Sequence, residues 1–436
     1  MSKLTRAEGR REERPDATAI SRRSLISGFA GMAAAGLLAQ APSKTPSPAP
    51  SRKGRGPRVV VVGAGAFGGW TALSLLRSGA RVTLVDAWGP GNSRASSGGE
   101  TRVIRGVYGS DRIYTKMAAR AFQLWKENEE RWNRKLYRRT GALWMLADEG
   151  RYVRDAMPIL RDFGFAYEEL TVADAARRFP QVSFEGLRWA FLEKDAGYLL
   201  ARQSCALVVE GFLAEGGEYR QAQAAPGAIA SGTLSGVTLS DGSSLAADAY
   251  VFACGPWLSR VFEKALGTWI QPTRQDVFFF GTPAGDGRFS EDRMPVWVEV
   301  PRFFYGIPGN ERRGFKIADD ARGPQFDPTT GDRTPSPERL RDAREYIAMR
   351  FPPLKDAPLV ESRVCQYENT PDHHFLVDRH PEAGNIWLIG GGSGHGYKHG
   401  PALGELAAAN VLGEKPLEPL FSYARLKKFP KSEKAS

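Results

Sequence analysis

A glycine motif between two apolar runs constrains the fold of this chain more than any other feature. The valines at positions 59–62 precede Gly63, Gly65 and Gly68, and a second apolar run ends at Asp86. This order predicts a strand, a tight turn, a helix and a second strand. The glycines allow the turn, let the backbone approach a pyrophosphate and permit close packing of helix on strand.

The residues that follow the first glycines indicate what the turn binds. The helix predicted to follow the Gly63–Gly68 segment, which includes Ala66 and Phe67, directs free backbone N–H groups towards phosphates. Asp86 is placed to accept a hydrogen bond from a ribose hydroxyl, and an acidic residue there disfavours NADP. The motif therefore predicts dinucleotide binding, with FAD and NAD as the two alternatives.

The net charge of +11 belongs to the ends of the chain. Residues 1–56 carry eleven basic and four acidic side chains, residues 425–436 carry five and one, and the intervening residues are neutral in sum. We therefore expect no nucleic-acid partner. The length of 436 residues allows two domains. Three cysteines give no disulfide framework.

The first 56 residues have the pattern of an export signal. Arg22 and Arg23 precede an uncharged segment, 28–41, rich in alanine, glycine and leucine. A paired arginine before so short an apolar run is typical of a twin-arginine signal. We expect a signal over 1–41, a linker over 42–56, and an exported or periplasmic protein that uses the export machinery. A disordered basic extension and an uncleaved anchor are the alternatives.

The remaining chain predicts an α/β fold, in which a Rossmann-like domain carries an inserted, mostly antiparallel α+β domain. Apolar spacing predicts a helix from Ile113 to Arg138, and short strands rich in aromatic residues dominate 268–360. The chain then returns to a strand that opens into a second glycine-rich loop at 390–396. The expected boundaries are 57–140, 185–267 and 361–425 for the dinucleotide domain, and 141–184 and 268–360 for the substrate domain.

Four separated motifs resemble one family, the monomeric sarcosine oxidase and N-methyltryptophan oxidase group of FAD-dependent amine oxidases. They are the opening glycine motif and the segments Thr101–Arg105, Cys365–Phe375 and Gly394–Lys398. The resemblance spans roughly residues 57–425. It implies that FAD is the dinucleotide, held from both ends of a monomeric chain.

The resemblance also implies a set of cofactor contacts. Cys365 takes the place of a cysteine that is joined covalently to the flavin, which requires an accessible thiolate. Thr101 and Arg102 would line the flavin edge. The remaining contacts come from the second glycine-rich loop, at Gly394, His395, Gly396 and Lys398.

Substrate and oxygen contacts follow from the same resemblance. Arg105 and Lys398 match a pair that binds the substrate carboxylate, where a planar guanidinium and a mobile ammonium suit one anion. Lys316 matches a lysine that promotes the reaction with oxygen through its positive charge. Tyr305 and Tyr367 correspond to tyrosines of the pocket.

Two departures from the family pattern bear on the substrate. Asp320 stands where sarcosine oxidases carry a histidine, and Trp297 stands where a methionine lines the pocket. A carboxylate would attract a cationic group, and an indole would reshape the cavity. Both departures argue against sarcosine itself as the substrate.

The predicted function is oxidation of a secondary or N-methyl amino acid by FAD, with hydrolysis of the imine and reduction of O2 to H2O2. A dehydrogenase that passes electrons to a quinone or carrier is one alternative, and a non-catalytic flavin-binding protein is another. The five histidines lie within 27 residues, at positions 373, 374, 380, 395 and 399. We expect no metal site, because no matching cysteine or carboxylate pattern accompanies them.

Overall fold

The glycine motif folds as the sequence predicts. The computed structural model describes residues 56–430 of the chain. Strand β1 (Arg58–Val62), helix α1 (Ala66–Arg77) and strand β2 (Arg81–Asp86) follow one another, and β1 pairs in parallel with β2. Gly63 has φ +108°, and a Cβ there would lie 2.3 Å from the carbonyl oxygen of Ala253. Only glycine fits this turn.

The further strands are, in chain order, β3 Thr101–Ile104, β4 Tyr137–Arg138, β5 Ala142–Leu146, β6 Tyr167–Thr171, β7 Trp189–Glu193, β8 Gly197–Leu200, β9 Glu218–Gln221, β10 Ala224–Pro226, β11 Ile229–Ala230, β12 Thr233–Leu234, β13 Val237–Leu239, β14 Ser244–Leu245, β15 Ala249–Phe252, β16 Gln271–Phe280, β17 Val296–Glu299, β18 Phe304–Ile307, β19 Phe315–Asp319, β20 Leu359–Asn369, β21 Leu376–His380 and β22 Ala383–Gly390. The further helices are α2 Arg112–Trp132, α3 Arg151–Asp162, α4 Val172–Arg178, α5 Ala201–Ala214, α6 Leu258–Val261, α7 Glu263–Leu266, α8 Pro337–Arg350, α9 Gly400–Val411 and α10 Tyr423–Leu426.

A six-stranded sheet forms the Rossmann-like layer, in the order β21-β22-β15-β1-β2-β9. All its pairs are parallel except β21 with β22. Helices α1 and α9 approach each other closely at Gly404, where a Cβ would lie only 2.6 Å from the backbone of Trp70. The opening glycine motif and the second glycine loop therefore belong to one layer, as the sequence predicts.

An eight-stranded sheet forms the second layer, in the order β20-β16-β19-β18-β17-β5-β7-β6. Its pairs are antiparallel except β17 with β5. One face is covered by α8 through a core that includes Phe278, Phe315, Ile317 and Tyr346. The opposite face carries Tyr305, Ala318 and Cys365. The predicted α/β class with a mostly antiparallel second sheet is confirmed.

Two sequence predictions of the fold need correction. Strand β7 pairs with β5 and β6, and β20 pairs with β16, so both belong to the eight-stranded sheet rather than to the Rossmann-like layer. Pairing partners are chosen in space, and apolar runs alone do not reveal them. Helix α2 ends at Trp132 instead of Arg138, because Asn133 adopts the left-handed conformation and β4 then pairs with β8. The domain boundaries otherwise stay a prediction.

The predicted signal over 1–41 and the linker, apart from Gly56, lie outside the described residues. Within residues 56–430, none of the helices combines the length and the apolar character needed to cross a bilayer.

Candidate active site

A cleft of about 1260 Å³, its open mouth included, runs between the two glycine loops. The walls of the cleft include Gly63 and Gly65 of the opening motif and Gly394 and Gly396 of the second loop. A Cβ on Gly65 would meet only the Ser97 hydroxyl, at 3.5 Å, so the backbone is open to a ligand at this point. Ala66 and Phe67 line the same wall at the beginning of α1. The cleft fits a dinucleotide phosphate at a helix N-terminus.

Asp86 lies in this cleft, where a ribose contact was predicted. Its carboxylate accepts hydrogen bonds from the backbone N–H groups of Ala64 at 2.7 Å, Trp88 at 2.9 Å and Gly89 at 2.8 Å. Burial raises the pKa of Asp86. A carboxylate has about four acceptor sites, so one remains for a hydroxyl.

Glu368 is a second carboxyl group of the cleft, and sequence reasoning missed it. The side chain is 6% exposed, and its Oε1 accepts a hydrogen bond from the Gly392 N–H at 3.1 Å. Its Oε2 has no partner among the described residues. Burial raises the pKa of Glu368 to about 7. An unpaired buried polar atom in the cleft wall fits a polar ligand such as FAD. The one sequence signal for Glu368 is its position in the Cys365–Phe375 motif, directly after Tyr367, and that position does not reveal the unpaired oxygen.

The predicted flavin-edge residues converge beside the cleft. Arg102 donates to the backbone oxygen of Ser96 at 2.5 Å, and its Nη2 lies 3.2 Å from Sγ of Cys365. The Nζ of Lys316 donates to the backbone oxygen of Thr101 at 3.0 Å. Lys316 is 2% exposed, and burial lowers its pKa to about 7. Four residues from three distant segments therefore share one small region: Thr101, Arg102, Lys316 and Cys365.

A second group contains the predicted carboxylate-binding pair. Lys398 is buried, and its Nζ donates to the Tyr108 hydroxyl at 2.8 Å and to the backbone oxygen of His395 at 2.7 Å. The Arg105 guanidinium donates to the backbone oxygen of Val107 and lies 4.5 Å from the centre of the Tyr108 ring. Burial, and then Arg105, hold the pKa of Lys398 well below its usual range. Within the described part of the chain, neither cation has a carboxylate ion-pair partner.

Asp320 connects this pair with the two tyrosines. The Tyr367 hydroxyl donates to Asp320 Oδ1 at 2.8 Å. Burial, and then the charge of Asp320, raise the pKa of Tyr305 to about 12. Arg105 and Lys398 both lie within electrostatic range of the Asp320 carboxylate. Asp320 is thus linked to Tyr367 by a hydrogen bond and to the two cations through electrostatics alone.

His395 lies between Gly394 and Gly396, two glycines that line the cleft. The imidazole stacks on Phe375 at 4.8 Å, and its Nε2 lies 3.0 Å from the backbone oxygen of His373. Burial lowers the pKa of His395 well below its usual range. Among residues 56–430, no group of three or more histidine, cysteine or acidic side chains is arranged to hold a metal ion.

Trp297 is not part of the site, contrary to the prediction. It is fully buried on the opposite face of the eight-stranded sheet and stacks on Phe315 at 5.8 Å and Tyr346 at 5.5 Å. Side chains alternate between the faces of a strand. The neighbouring residue, Val298, pairs with Tyr305 and therefore shares its face.

Comparisons with known proteins agree with this geometry. A family profile described as "FAD dependent oxidoreductase" matches residues 58–410. A monomeric sarcosine oxidase from Bacillus sp. (strain NS-129) is 30% identical over 80% of this chain and 91% of its own length. An N-methyl-L-tryptophan oxidase from Salmonella agona is 28% identical over 82% of this chain and 95% of its own.

Solved structures show the same fold. An L-proline dehydrogenase from P. horikoshii superposes with a TM-score of 0.75 and 21% identity, covering 85% of this chain and 98% of that one. A mutant of Amadoriase I from Aspergillus fumigatus gives 0.73 and 19%, covering 87% and 92%. With the glycine cleft and the profile match over most of its length, the chain belongs to the DAO family of FAD-dependent oxidoreductases.

Proposed function

We propose that this enzyme oxidises a secondary or N-methyl amino acid and transfers the electrons to O2. The observation that carries the proposal is the pair of half-buried Arg105 and buried Lys398, which meet at Tyr108 and have no ion-pair partner in residues 56–430. Buried cations are costly unless an anion pairs with them. A carboxylate bound between the guanidinium and the ammonium would supply that anion.

Asp320 supports an amino acid over a simple carboxylic acid. Its carboxylate accepts from Tyr367 and lies in the field of both cations. A zwitterion places its carboxylate at Arg105 and Lys398 and its ammonium towards Asp320. Opposite charges at two points orient the substrate before reaction.

A hydride leaves the carbon beside the substrate nitrogen only when the amine is neutral, so the bound ammonium first loses its proton to solvent. FAD, when bound, would supply the redox chemistry, as acceptor of that hydride and as donor of two electrons to O2. The imine product takes up water and releases the amine and the carbonyl compound. The residues of the chain bind and orient the substrate. In its protonated form, Lys316 places a positive charge in the region of Thr101 and Arg102, which favours charge development on oxygen.

We propose further that the flavin is covalently attached through Cys365. Its Sγ lies 3.2 Å from Nη2 of Arg102, a residue that lines the cofactor cleft. Acid-precipitated wild-type protein should stay yellow, and Cys365→Ser should precipitate without colour. Cys254→Ser is a matched control, because Cys254 lines the cleft but is held away from this site, near the backbone of Val62. A colourless wild-type precipitate would refute the attachment.

Oxygen uptake by purified holoenzyme tests the proposed activity. A panel of N-methyl amino acids should give uptake with equimolar H2O2, and the matching amides, which lack the carboxylate, should give at most a tenth of the rate at equal concentration. Equal rates for acid and amide would show that no carboxylate is recognised. Oxidation of the substrate by an added quinone without oxygen uptake would favour a dehydrogenase.

Export through the twin-arginine route is also proposed, on the pattern of residues 22–41. Replacing Arg22 and Arg23 by lysine should stop accumulation of the full-length chain in the periplasm of a bacterial host. The adjacent pair Arg10 and Arg11 provides the matched control, since it precedes no apolar run. Equal accumulation of the Arg22/Arg23 variant and wild type would contradict this route.

A further inference from the structure

One buried tyrosine contacts both members of the predicted carboxylate-binding pair. Tyr108 lies between β3 and α2 and is 4% exposed. The Arg105 guanidinium lies over the face of its ring at 4.5 Å. Its hydroxyl accepts a hydrogen bond from Lys398 Nζ at 2.8 Å. The two cations come from segments almost 300 residues apart, and Tyr108 is their shared neighbour.

The direction of the hydrogen bonds around the phenol follows from counting donors. In either charge state the Lys398 amine has at least two hydrogens, which the Tyr108 hydroxyl and the His395 carbonyl accept. The phenol can direct its single hydrogen at His399 Nε2, 2.7 Å away, or at His395 Nδ1, 3.4 Å away, and the shorter contact favours His399. Burial holds the pKa of His399 well below its usual range, so the imidazole is neutral and can accept this hydrogen.

Tyr108 itself is held firmly. His399 is fully buried, and its ring lies 5.3 Å from that of Tyr108. On another side the ring of Tyr114 stacks on Tyr108 at 5.2 Å. A phenol fixed in this way cannot swing without breaking the bond to His399. The positions of both cations therefore depend on one immobile ring.

We propose that Tyr108, anchored by His399, is the positioning residue that holds Arg105 and Lys398 at the separation a substrate carboxylate requires. The inference rests on the proposed function, because the anion is the amino-acid carboxylate. Two neighbouring cations repel each other, and the ring face and the hydroxyl of Tyr108 offset that repulsion on the two sides. Preorganised cations lose less conformational entropy when the ligand binds.

Two substitutions separate this role from simple packing. Tyr108→Phe keeps the ring under Arg105 but removes the acceptor of Lys398 and the donor to His399. Tyr114→Phe is the matched control: it also removes a buried hydroxyl from the same aromatic cluster, but that hydroxyl contacts His374 and the backbone of Phe375. Neither Arg105 nor Lys398 hydrogen-bonds to Tyr114 in the described chain.

Binding of methoxyacetate to the holoenzyme provides the main measurement, followed through the visible absorption of the flavin. This carboxylate has an ether oxygen in place of the amine, and methoxyacetamide is its neutral partner. Tyr108→Phe should weaken methoxyacetate binding about tenfold and change methoxyacetamide binding less than twofold. KM for an oxidised amino acid should rise in parallel, with kcat within about threefold of wild type. Tyr114→Phe should leave both Kd values unchanged.

Other outcomes overturn the inference. Unchanged methoxyacetate binding in Tyr108→Phe, equal weakening of both ligands, or the same loss in Tyr114→Phe would each show that Tyr108 does not position the pair. Wild-type enzyme that fails to bind methoxyacetate would instead contradict the proposed carboxylate site, and the inference with it. The two failures are therefore distinguishable.

Discussion

Arg105→Met is the substitution whose effect follows most directly from the geometry of the site. It removes the guanidinium that lies over Tyr108 but keeps an unbranched side chain of moderate length. A hydrogen bond to a charged group contributes about 1.5–3 kcal/mol, which corresponds to about ten- to hundredfold in affinity. The lower half of that range applies here. Burial and then Arg105 lower the pKa of Lys398, so without Arg105 the charged form of Lys398 is less disfavoured and offsets part of the loss.

We therefore expect KM for an N-methyl amino acid to rise about ten- to thirtyfold in Arg105→Met, with kcat changed much less. Steady-state oxygen uptake measures both constants. Arg112→Met is the control, because Arg112 follows closely in the chain and forms an exposed ion pair with Asp162 at 2.5 Å. Its KM should stay within twofold of wild type. An unchanged KM in Arg105→Met, or an equal loss with the amide of the substrate, would refute the assignment of Arg105 to the carboxylate.

Two further predictions concern the two faces of the eight-stranded sheet. Lys316→Met should slow reoxidation of the reduced enzyme by O2 about a hundredfold. Since burial lowers the pKa of Lys316 to about 7, the wild-type reoxidation rate should fall as pH rises through that value. Reoxidation should stay fast at every pH in Lys316→Arg and slow at every pH in Lys316→Met. A pH-independent wild-type rate would contradict the role of the lysine charge. Trp297→Phe should lower the free energy of unfolding by about 1–2 kcal/mol in a denaturant titration and leave KM unchanged; a shifted KM would return Trp297 to the substrate pocket.

The parts of the fold that the sequence predicts well are those determined locally. The turn at Gly63 has a positive φ that only glycine adopts easily. The strand and the helix beside it are indicated by the spacing of apolar residues over a short stretch of sequence. Most predicted site residues come from short motifs, which can be read from sequence alone. The motifs do not show which residues are neighbours in the folded protein. Lys316 and Thr101, for example, are 215 residues apart in the chain but form a hydrogen bond.

The misplacement of Trp297 has a different physical cause. A strand alternates its side chains between two faces, so an error of one residue in register moves a side chain through the sheet. The correspondence of Trp297 with a pocket methionine predicts that it shares the face of Tyr305, whereas Val298 is the partner of Tyr305. Asp320 is consequently the one predicted departure from the family pattern that lies near the cations.

The positioning role of Tyr108 and the unpaired oxygen of Glu368 could not be predicted from sequence. Tyr108 lies three residues after Arg105, with no pattern that separates it from a core aromatic residue. Its importance appears only once Lys398 and His399 are folded against it. Glu368 is likewise identified as a residue of the cleft only by its burial and by the hydrogen bond that it accepts from the Gly392 N–H.

The most direct test of the account is a single turnover of the purified enzyme, observed through its visible absorption. An N-methyl amino acid added without oxygen should bleach the flavin, and admission of air should restore the colour at once, with one H2O2 formed per flavin. The corresponding amide at the same concentration should bleach it at least ten times more slowly. Failure of every amino acid in the panel to bleach a fully loaded enzyme would contradict the account, as would bleaching by acid and amide at the same rate.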